Sequence, residues 1–198
     1  HYSPDGSGTG YMSLGDGGVD DAEDAEVIVH EFGHSAQDNQ CVNCFFGPEA
    51  GAMGEGFGDF LAASYFLNVS AGYQNECLFD WDSTASSIDS PPCLRRLDTT
   101  KRYPHDVDDE VHDDGEIWSG ALWDALLAVS GGPTPTLAAR DVVLSIVLES
   151  HFLLPSGPSF FEGAQALLDA EQALYAGAYH APLFAALDAR GLIPRCGA

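Results

Sequence analysis

Basic residues are scarce in this 198-residue chain, which has 7 Lys and Arg against 31 Asp and Glu and a formal charge of −24. Nucleic acids and anionic membranes attract clustered positive charge, so this deficit argues against both as partners. The chain also lacks any apolar run near the roughly 18 residues that a membrane helix needs. We therefore expect a soluble protein with no membrane span.

Cysteines are few, but five in a chain of this size favour an oxidising, extracellular compartment. Cys77 and Cys93 flank a loop rich in Ser, Asp and Pro and are the first candidate disulfide. Cys41 and Cys44 either bridge each other, hold separate partners or pair with Cys196. A structural zinc site is disfavoured because no second Cys-x-x-C follows. The odd count leaves one thiol free or paired with missing sequence.

The run His30-Glu31-Phe32-Gly33-His34 has the clearest chemical meaning. Histidines four residues apart lie on one face of a helix, one turn apart, so their imidazoles can bind the same Zn²⁺. Glu31 can then reach a water on that metal. Composition alone predicts about 0.01 such motifs in the chain, so chance is a poor explanation. The alternative is a surface helix carrying two unrelated histidines.

Glu55 follows His34 by 21 residues and lies on a second predicted helix, from about residue 50 to 67. It is the candidate third ligand, because two His and one Glu leave a fourth position open for water, as in catalytic zinc sites. Four glycines interrupt this helix, although each costs about 1 kcal/mol against Ala. We expect them to let it press against the zinc helix; the alternative is a loop with a chance Glu. These glycines are Gly51, Gly54, Gly56 and Gly58.

Asp20 and Glu23 have the spacing of a capping box and predict where the zinc helix begins. An apolar stripe on that helix is expected to face the core beside the metal face; its members are Ala25, Val29, Phe32 and Ala36. Further helices are expected at about 117–129, 137–152, 160–175 and 182–189, with Ser159 and Glu162 as a second capping box. The expected fold is mainly α: a strand and hairpin at 1–20, zinc-ligand helices at 21–67, an acidic loop region at 68–116 and a helical subdomain at 117–198.

Three motifs in order resemble the gluzincin metallopeptidases, which include the fungalysin-like and thermolysin-like families. They are the run at 30–34, the run Gly54-Glu55-Gly56-Phe57-Gly58-Asp59 and the run Val111-His112-Asp113-Asp114-Gly115-Glu116-Ile117-Trp118. The Gly-Glu-Ile-Trp segment, with Leu122-Trp123 behind it, is closer to the fungalysin side. The likeness extends from about Gly15 to the run at 189–192.

The resemblance implies a zincin-like α+β fold and a secreted zinc endopeptidase that cleaves peptide or protein substrates. In the related enzymes a large β-rich portion precedes this region. The chain begins at His1 with no signal peptide. We therefore expect the numbering to begin inside a longer precursor, whose β-rich portion or propeptide would be a partner.

Roles follow from the resemblance position by position. His30, His34 and Glu55 match the zinc ligands, and Glu31 matches the general base. Asp59 matches a carboxylate that orients the first histidine. The remaining matches are His112 for the histidine that stabilises the tetrahedral intermediate, Arg95 or Arg96 for the arginine that binds the substrate carbonyl, and Glu26 for a calcium-binding carboxylate.

Two positions depart from the thermolysin-like pattern. Phe46 stands where those enzymes carry a Tyr that assists the oxyanion, so that support rests more on His112. Gly54 stands where they carry an Asn that helps to hold the second histidine, so His34 needs another partner.

Calcium is a second candidate metal, because hard cations favour clustered carboxylates. The candidate groups are Asp80 with Asp82, and Asp106 with Asp108 and Asp109; the last three are also candidates to orient His112. The alternative at each cluster is a solvated acidic face. Two other functions stay open: a catalytically inactive zincin-like binding or structural module, and an acidic extracellular calcium-binding protein with an incidental HExxH.

Overall fold

A computed structural model of the chain describes residues 1–16, 19–85 and 93–194. Its elements are mostly helices with two short antiparallel hairpins, which confirms the mainly α fold. The strands are β1 (Tyr2–Pro4) paired with β2 (Gly10–Met12), and β3 (Cys77–Leu78) paired with β4 (Arg95–Arg96). The helices are α1 (Ala25–Gln40), α2 (Pro48–Phe66), α3 (Val111–Ser130), α4 (Leu137–His151), α5 (Phe160–Tyr175) and α6 (His180–Ala189).

The core lies around α2 and α3, and α4, α5 and α6 pack on its far side. Its large, fully buried side chains include Phe57 and Phe60 from α2 and Ile117 and Leu122 from α3. Burying such side chains is the main favourable term in folding. The α2–α3 pair therefore forms the centre of the fold, and α1 packs against α2.

The α2 glycines serve two neighbours, not only the zinc helix as expected. A Cβ on Gly58 would lie 2.6 Å from Nδ1 of His30, so this glycine does admit α1. A Cβ on Gly56 would instead lie 2.5 Å from the carbonyl oxygen of Gly115, so this one admits α3. Close backbone approach on both sides of α2 explains why glycines occupy a buried helix.

The expected start of the zinc helix is wrong. Asp20 makes no side-chain cap bond and precedes a 3-10 turn at Asp21–Glu23. That turn delays α1, whose cap is Asp24, with its carboxylate accepting from the backbone N–H of Glu26 at 2.9 Å.

The expected apolar face of α1 is also wrong, because Phe32 is 56% exposed. The buried face consists of His30, Gly33, Gln37 and Asp38. At Gly33 an added Cβ would lie 3.2 Å from the Cα of Gly58. The glycines bring α2 against the face of α1 that carries His30, so Phe32 stays exposed while Val29, another member of the expected stripe, packs partly buried against the core.

Helix α3 begins at Val111, six residues before its expected start at 117. The Glu110 carboxylate caps it by accepting from the backbone N–H groups of His112 and Asp113, at 3.1 and 2.9 Å. His112 therefore lies in the first turn of a helix and not in a loop. Helix α5 has the expected bounds and its capping box between Ser159 and Glu162.

Two disulfides are formed. Cys77 bonds Cys93 as expected, and Cys41 bonds Cys44, which selects the internal pairing among the three alternatives. Cys196 lies outside the described residues. Among the helices of residues 1–16, 19–85 and 93–194, none combines the length and the apolarity needed to cross a bilayer.

Candidate active site

A cleft of about 390 Å³ runs along the buried face of α1. Its walls come from α1, α2, the β1 strand, the segment around Cys41–Phe46, Arg95 of β4 and the preceding residue Leu94. His30, Glu31, His34, Glu55 and His112 all line it, so the predicted site residues on three different helices meet in one cavity.

His30, His34 and Glu55 converge on one point in this cleft. Nε2 of His34 lies 3.1 Å from Nε2 of His30. The Glu55 carboxylate completes the group, with Oε2 3.2 Å from Nε2 of His30 and Oε1 3.5 Å from Nε2 of His34. One helical turn separates the histidines, and the Gly58 contact sets the height of α2 against them. The three side chains form a candidate metal-binding group.

The charges around this group depend on one another. Burial alone would lower the pKa of His30, but its bonds with Asp59 and Glu55 raise it to about 9. Burial followed by the charge of His30 lowers the pKa of His34. Burial would raise the pKa of Glu55, yet the hydrogen bond from His30 and the charge of His34 bring it to about 2. A divalent cation here would replace protons on nitrogen.

Asp59 supports His30 from behind. It is fully buried, and its Oδ1 lies 2.9 Å from Nδ1 of His30. Arg95 clamps the same carboxylate with two hydrogen bonds, from Nε at 2.8 Å and from Nη2 at 2.7 Å. Burial would raise the pKa of Asp59, but the charge of Arg95 and the His30 bond lower it to about 2. His30 is thereby fixed with Nε2 facing the cleft.

Of the two candidate arginines, only Arg95 lines the cleft. Its guanidinium is held by Asp59 and lies 4.6 Å over the ring of Phe79. Arg96 is half-exposed outside the cleft and pairs with Asp98 at 2.7 and 2.8 Å. Arg95 thus lies at the site itself, bound to Asp59 and with Nη2 3.4 Å from Nδ1 of His30.

Glu31 has an uncommitted oxygen in the cleft. Its Oε2 is buried and has no hydrogen-bond partner among the described residues. Oε2 of Glu55 is also buried, and it makes no hydrogen bond of good geometry with the residues that the structure describes. Buried carboxylate oxygens are normally bonded, so the free Oε2 of Glu31 is available to a ligand in this cleft.

His112 faces this group from the first turn of α3. Its Nε2 lies 3.4 Å from Oε2 of Glu55, and its Nδ1 lies 2.6 Å from Oε1 of Glu110. The predicted orienting residues Asp106, Asp108 and Asp109 do not make this contact. Glu110 takes the role because the helix cap places its carboxylate two residues before the histidine.

The family profile of the fungalysin metallopeptidases (M36) matches residues 14–195. The chain belongs to this family. Among its fungalysin-type relatives are Extracellular metalloproteinase 2 of Arthroderma gypseum, 29% identical over 193 residues, and that of Trichophyton tonsurans, 28% identical over 193 residues. Each alignment covers 85% of this chain and 30% of the relative.

A third relative is Extracellular metalloproteinase 9 of Coccidioides posadasii, 27% identical over 196 residues, which cover 87% of this chain and 30% of that protein. The chain thus spans about 30% of the length of the curated relatives that it matches.

The acidic residues of this fungalysin chain do not group as expected for calcium. Glu26 accepts from the backbone N–H of Phe79 at 2.6 Å, and burial raises its pKa to about 7. Asp82 lines the cleft and its backbone N–H is bound by Asp24. Neither Asp82 nor Asp80 belongs to a group of three potential ligands in the described ranges.

The other predicted calcium group is also rearranged. Asp108 lies with Asp113 and Asp114 instead of with its predicted neighbours Asp106 and Asp109. Asp106 instead accepts from the backbone N–H of Arg102 at 2.8 Å. Exposed acidic groups without a bound ion are common, and Asp113 is already paired with Nζ of Lys101 at 2.5 Å, so this group is not assigned a metal.

Sequence reasoning missed three residues that shape the site. Glu110 could have been found as the acidic residue directly before the first turn of α3. Phe79, whose ring packs edge-on against His30 at 5.6 Å, carried no signal because it lies 49 positions away in an irregular segment. Gln37 lines the cleft three residues after His34. A glutamine there fits any helix, so only the fold reveals its burial.

Proposed function

We propose that this chain carries the catalytic centre of a secreted zinc endopeptidase that hydrolyses peptide bonds. The observation that carries the proposal is the convergence of His30, His34 and Glu55 in a cleft that also contains an uncommitted oxygen of Glu31. Secretion is supported by the names of the fungalysin relatives, which are extracellular metalloproteinases, and by the two disulfides.

The residues present fit a zinc ion. Ligand atoms 2.0–2.1 Å from a tetrahedral zinc lie about 3.3 Å apart. The two imidazole nitrogens lie 3.1 Å apart, and each lies 3.2 or 3.5 Å from one of the two Glu55 carboxylate oxygens, Oε2 for His30 and Oε1 for His34. Two imidazoles and one carboxylate form the donor set of several zinc hydrolases, and they leave one position for water or substrate. Asp59 supplies the hydrogen bond that such a histidine ligand usually has on its other nitrogen.

Zinc in this position would lower the pKa of a coordinated water towards about 7 and polarise the scissile carbonyl. Glu31, adjacent to His30 on α1, offers its free Oε2 to take the proton of the attacking water. It then delivers that proton to the nitrogen of the leaving amine, as a general acid after acting as a general base. Asp59 and Arg95 hold His30 still during both transfers.

His112 would stabilise the negative charge that develops on the carbonyl oxygen. Glu110 accepts from its Nδ1, so Nε2 can donate to substrate only when the ring is protonated at both nitrogens. One such donor is typically worth about 3–4 kcal/mol in the transition state. Phe46 lines the cleft without a hydroxyl, so no donor comes from that position.

Glu31→Gln in the full-length protein tests the proposal. The variant keeps the size of the side chain but cannot take a proton, so casein hydrolysis should fall by at least about 10²-fold while zinc stays at one per chain. Glu23→Gln, on the exposed 3-10 turn, is the matched control and should behave as wild type.

The other functions give different results in the same assay. Wild-type protein that binds zinc but cleaves nothing would point to an inactive binding module. Protein that binds calcium and no zinc would point to the acidic calcium-binding alternative. Either result would overturn the peptidase proposal.

A further inference from the structure

Gln37 has a buried polar side chain whose amide makes no hydrogen bond with the described residues. It lines the cleft and is 2% exposed. Neither Oε1 nor Nε2 of its amide has a hydrogen-bond partner among the described residues. An amide in this state is unfavourable in a folded protein, and each such group calls for an explanation.

His34 has no acceptor for its second ring nitrogen, Nδ1, among the described residues. Nδ1 of His30 is bound by Asp59, whereas the ring of His34, 21% exposed, makes its side-chain contacts with the described residues through Nε2. A histidine that ligates a metal through one nitrogen generally donates the other N–H to an acceptor. In the proposed metal centre, Asp59 is that acceptor for His30, whereas His34 has no such acceptor among the described residues.

Gln37 lies about one turn beyond His34 on the same helix, α1. Residues three apart on a helix are neighbours on its surface, so Gln37 follows His34 on the buried face of α1. A Cβ added to Gly54 would lie 3.7 Å from Oε1 of Gln37. The carbonyl end of the amide therefore reaches the backbone just before Glu55.

We propose that Gln37 is a positioning residue for His34, whose Nδ1–H donates to Oε1 of Gln37 through one bridging water. A water that joins two otherwise unsatisfied polar groups is nearly as favourable as a direct bond. The contact fixes the tautomer of His34, so that the lone pair of Nε2 faces the metal. The proposal rests on the proposed zinc site and adds a partner for its second histidine.

Gln37→Met and Gln37→Glu separate this role from simple packing. Methionine keeps the length and bulk but removes the acceptor, whereas glutamate keeps an acceptor oxygen. Zinc affinity of the full-length protein is measured by competition with a chromophoric chelator, and the ligand field by the absorption of the cobalt-substituted protein. Gln37→Met should weaken zinc binding 10–100-fold and shift the cobalt bands, and Gln37→Glu should restore both.

Gln74→Met is the matched control. The Oε1 atom of Gln74 is likewise buried without a partner among the described residues, but it lies outside the cleft. Zinc affinity and cobalt bands should be unchanged in this variant. In the peptidase assay, Gln37→Met should lower kcat and leave KM near its wild-type value.

Zinc affinity and cobalt bands of Gln37→Met equal to wild type would overturn the proposal, as would a loss confined to KM, which indicates a substrate contact. If Gln37→Met does not fold, Gln37→Asn draws the acceptor back by one methylene and should weaken zinc binding in the same way. Wild-type protein without any bound zinc would overturn the proposed function itself, whereas the other failures leave that function standing.

Discussion

Two buried histidines that both pack against α2 have pKa values shifted in opposite directions. His30 and His151 are each 4% exposed, and burial acts to lower the pKa of both. Carboxylates of Asp59 and Glu55 surround His30 and raise its pKa to about 9. His151 has the rings of Phe57 and Phe45 and one bond to Gln40, and its pKa falls to about 3.

The comparison separates burial from function. A histidine buried among aromatic rings stays neutral and acts as part of the core. A histidine buried among carboxylates is placed where a cation is stabilised, whether that cation is a proton or a metal. The partners, and not the depth, distinguish the candidate ligand His30 from the structural residue His151.

The largest expected effect is on metal binding. His30→Ala removes a ligand, so zinc affinity should fall by more than the 10–100-fold typical of an outer partner. His151→Phe keeps an aromatic ring in the core and should retain one zinc per chain. Equilibrium dialysis with metal analysis checks both variants, and equal zinc loss in the two would break the distinction between these histidines.

The next effect concerns the support behind His30. Asp59→Ala leaves the guanidinium of Arg95 buried without its partner, so the free energy of unfolding should fall by about 3–5 kcal/mol. Asp98→Ala breaks the pair with exposed Arg96 and should cost less than about 1 kcal/mol. Urea unfolding of the metal-free proteins measures both changes. A similar loss in the two variants would show that the buried clamp is not special.

A smaller effect is expected from the packing of α1 on α2. Gly58→Ala places a Cβ 2.6 Å from Nδ1 of His30, so overpacking should cost about 1–3 kcal/mol and weaken zinc binding. Gly54→Ala is the control on the same helix, because its Cβ meets only ordinary contacts at 3.7 and 3.8 Å. It should be neutral or stabilise the protein by up to about 1 kcal/mol. Unfolding midpoints that rank the two variants the other way would contradict the close approach of α1 and α2 at Gly58.

The last expected effect is a pH dependence from His151. Its pKa is 6.5 in an ordinary setting and about 3 in the fold, so between these values the unfolded chain binds more protons than the folded one. The stabilisation is complete above pH 6.5 and is lost as the pH falls towards 3, by up to about 1.4 kcal/mol per pH unit. His151→Phe should remove this part of the slope of stability against pH. An unchanged slope between pH 7 and 5 would show that His151 is protonated in the fold.

The sequence predicted the features that depend on local periodicity. The four-residue spacing placed His30 and His34 on one face, and the capping box of Ser159 and Glu162 marked the start of α5. Features that depend on which surfaces meet were not predictable in this way. The rotation of α1 about its axis was not predictable, because it depends on the contact between Gly33 and Gly58, which are 25 residues apart. That contact buries the face with His30 and Gly33 and leaves Phe32 exposed.

The supports of the site show the same limit. Asp59 could be placed one turn after Glu55 on the same helix, but its clamp by Arg95 joins residues 36 apart. Gln37 and Phe79 gain meaning only from the segments packed against them. Spacing within a helix therefore predicts candidate ligands, whereas the residues that hold them come from tertiary contacts.

Anomalous diffraction at the zinc absorption edge, from crystals of the full-length protein, tests the central claim most directly. The account predicts one strong peak about 2.0–2.2 Å from Nε2 of His30, Nε2 of His34 and a carboxylate oxygen of Glu55. A zinc-saturated crystal with no peak at that point, or with its peak among Asp108, Asp113 and Asp114 instead, would contradict it.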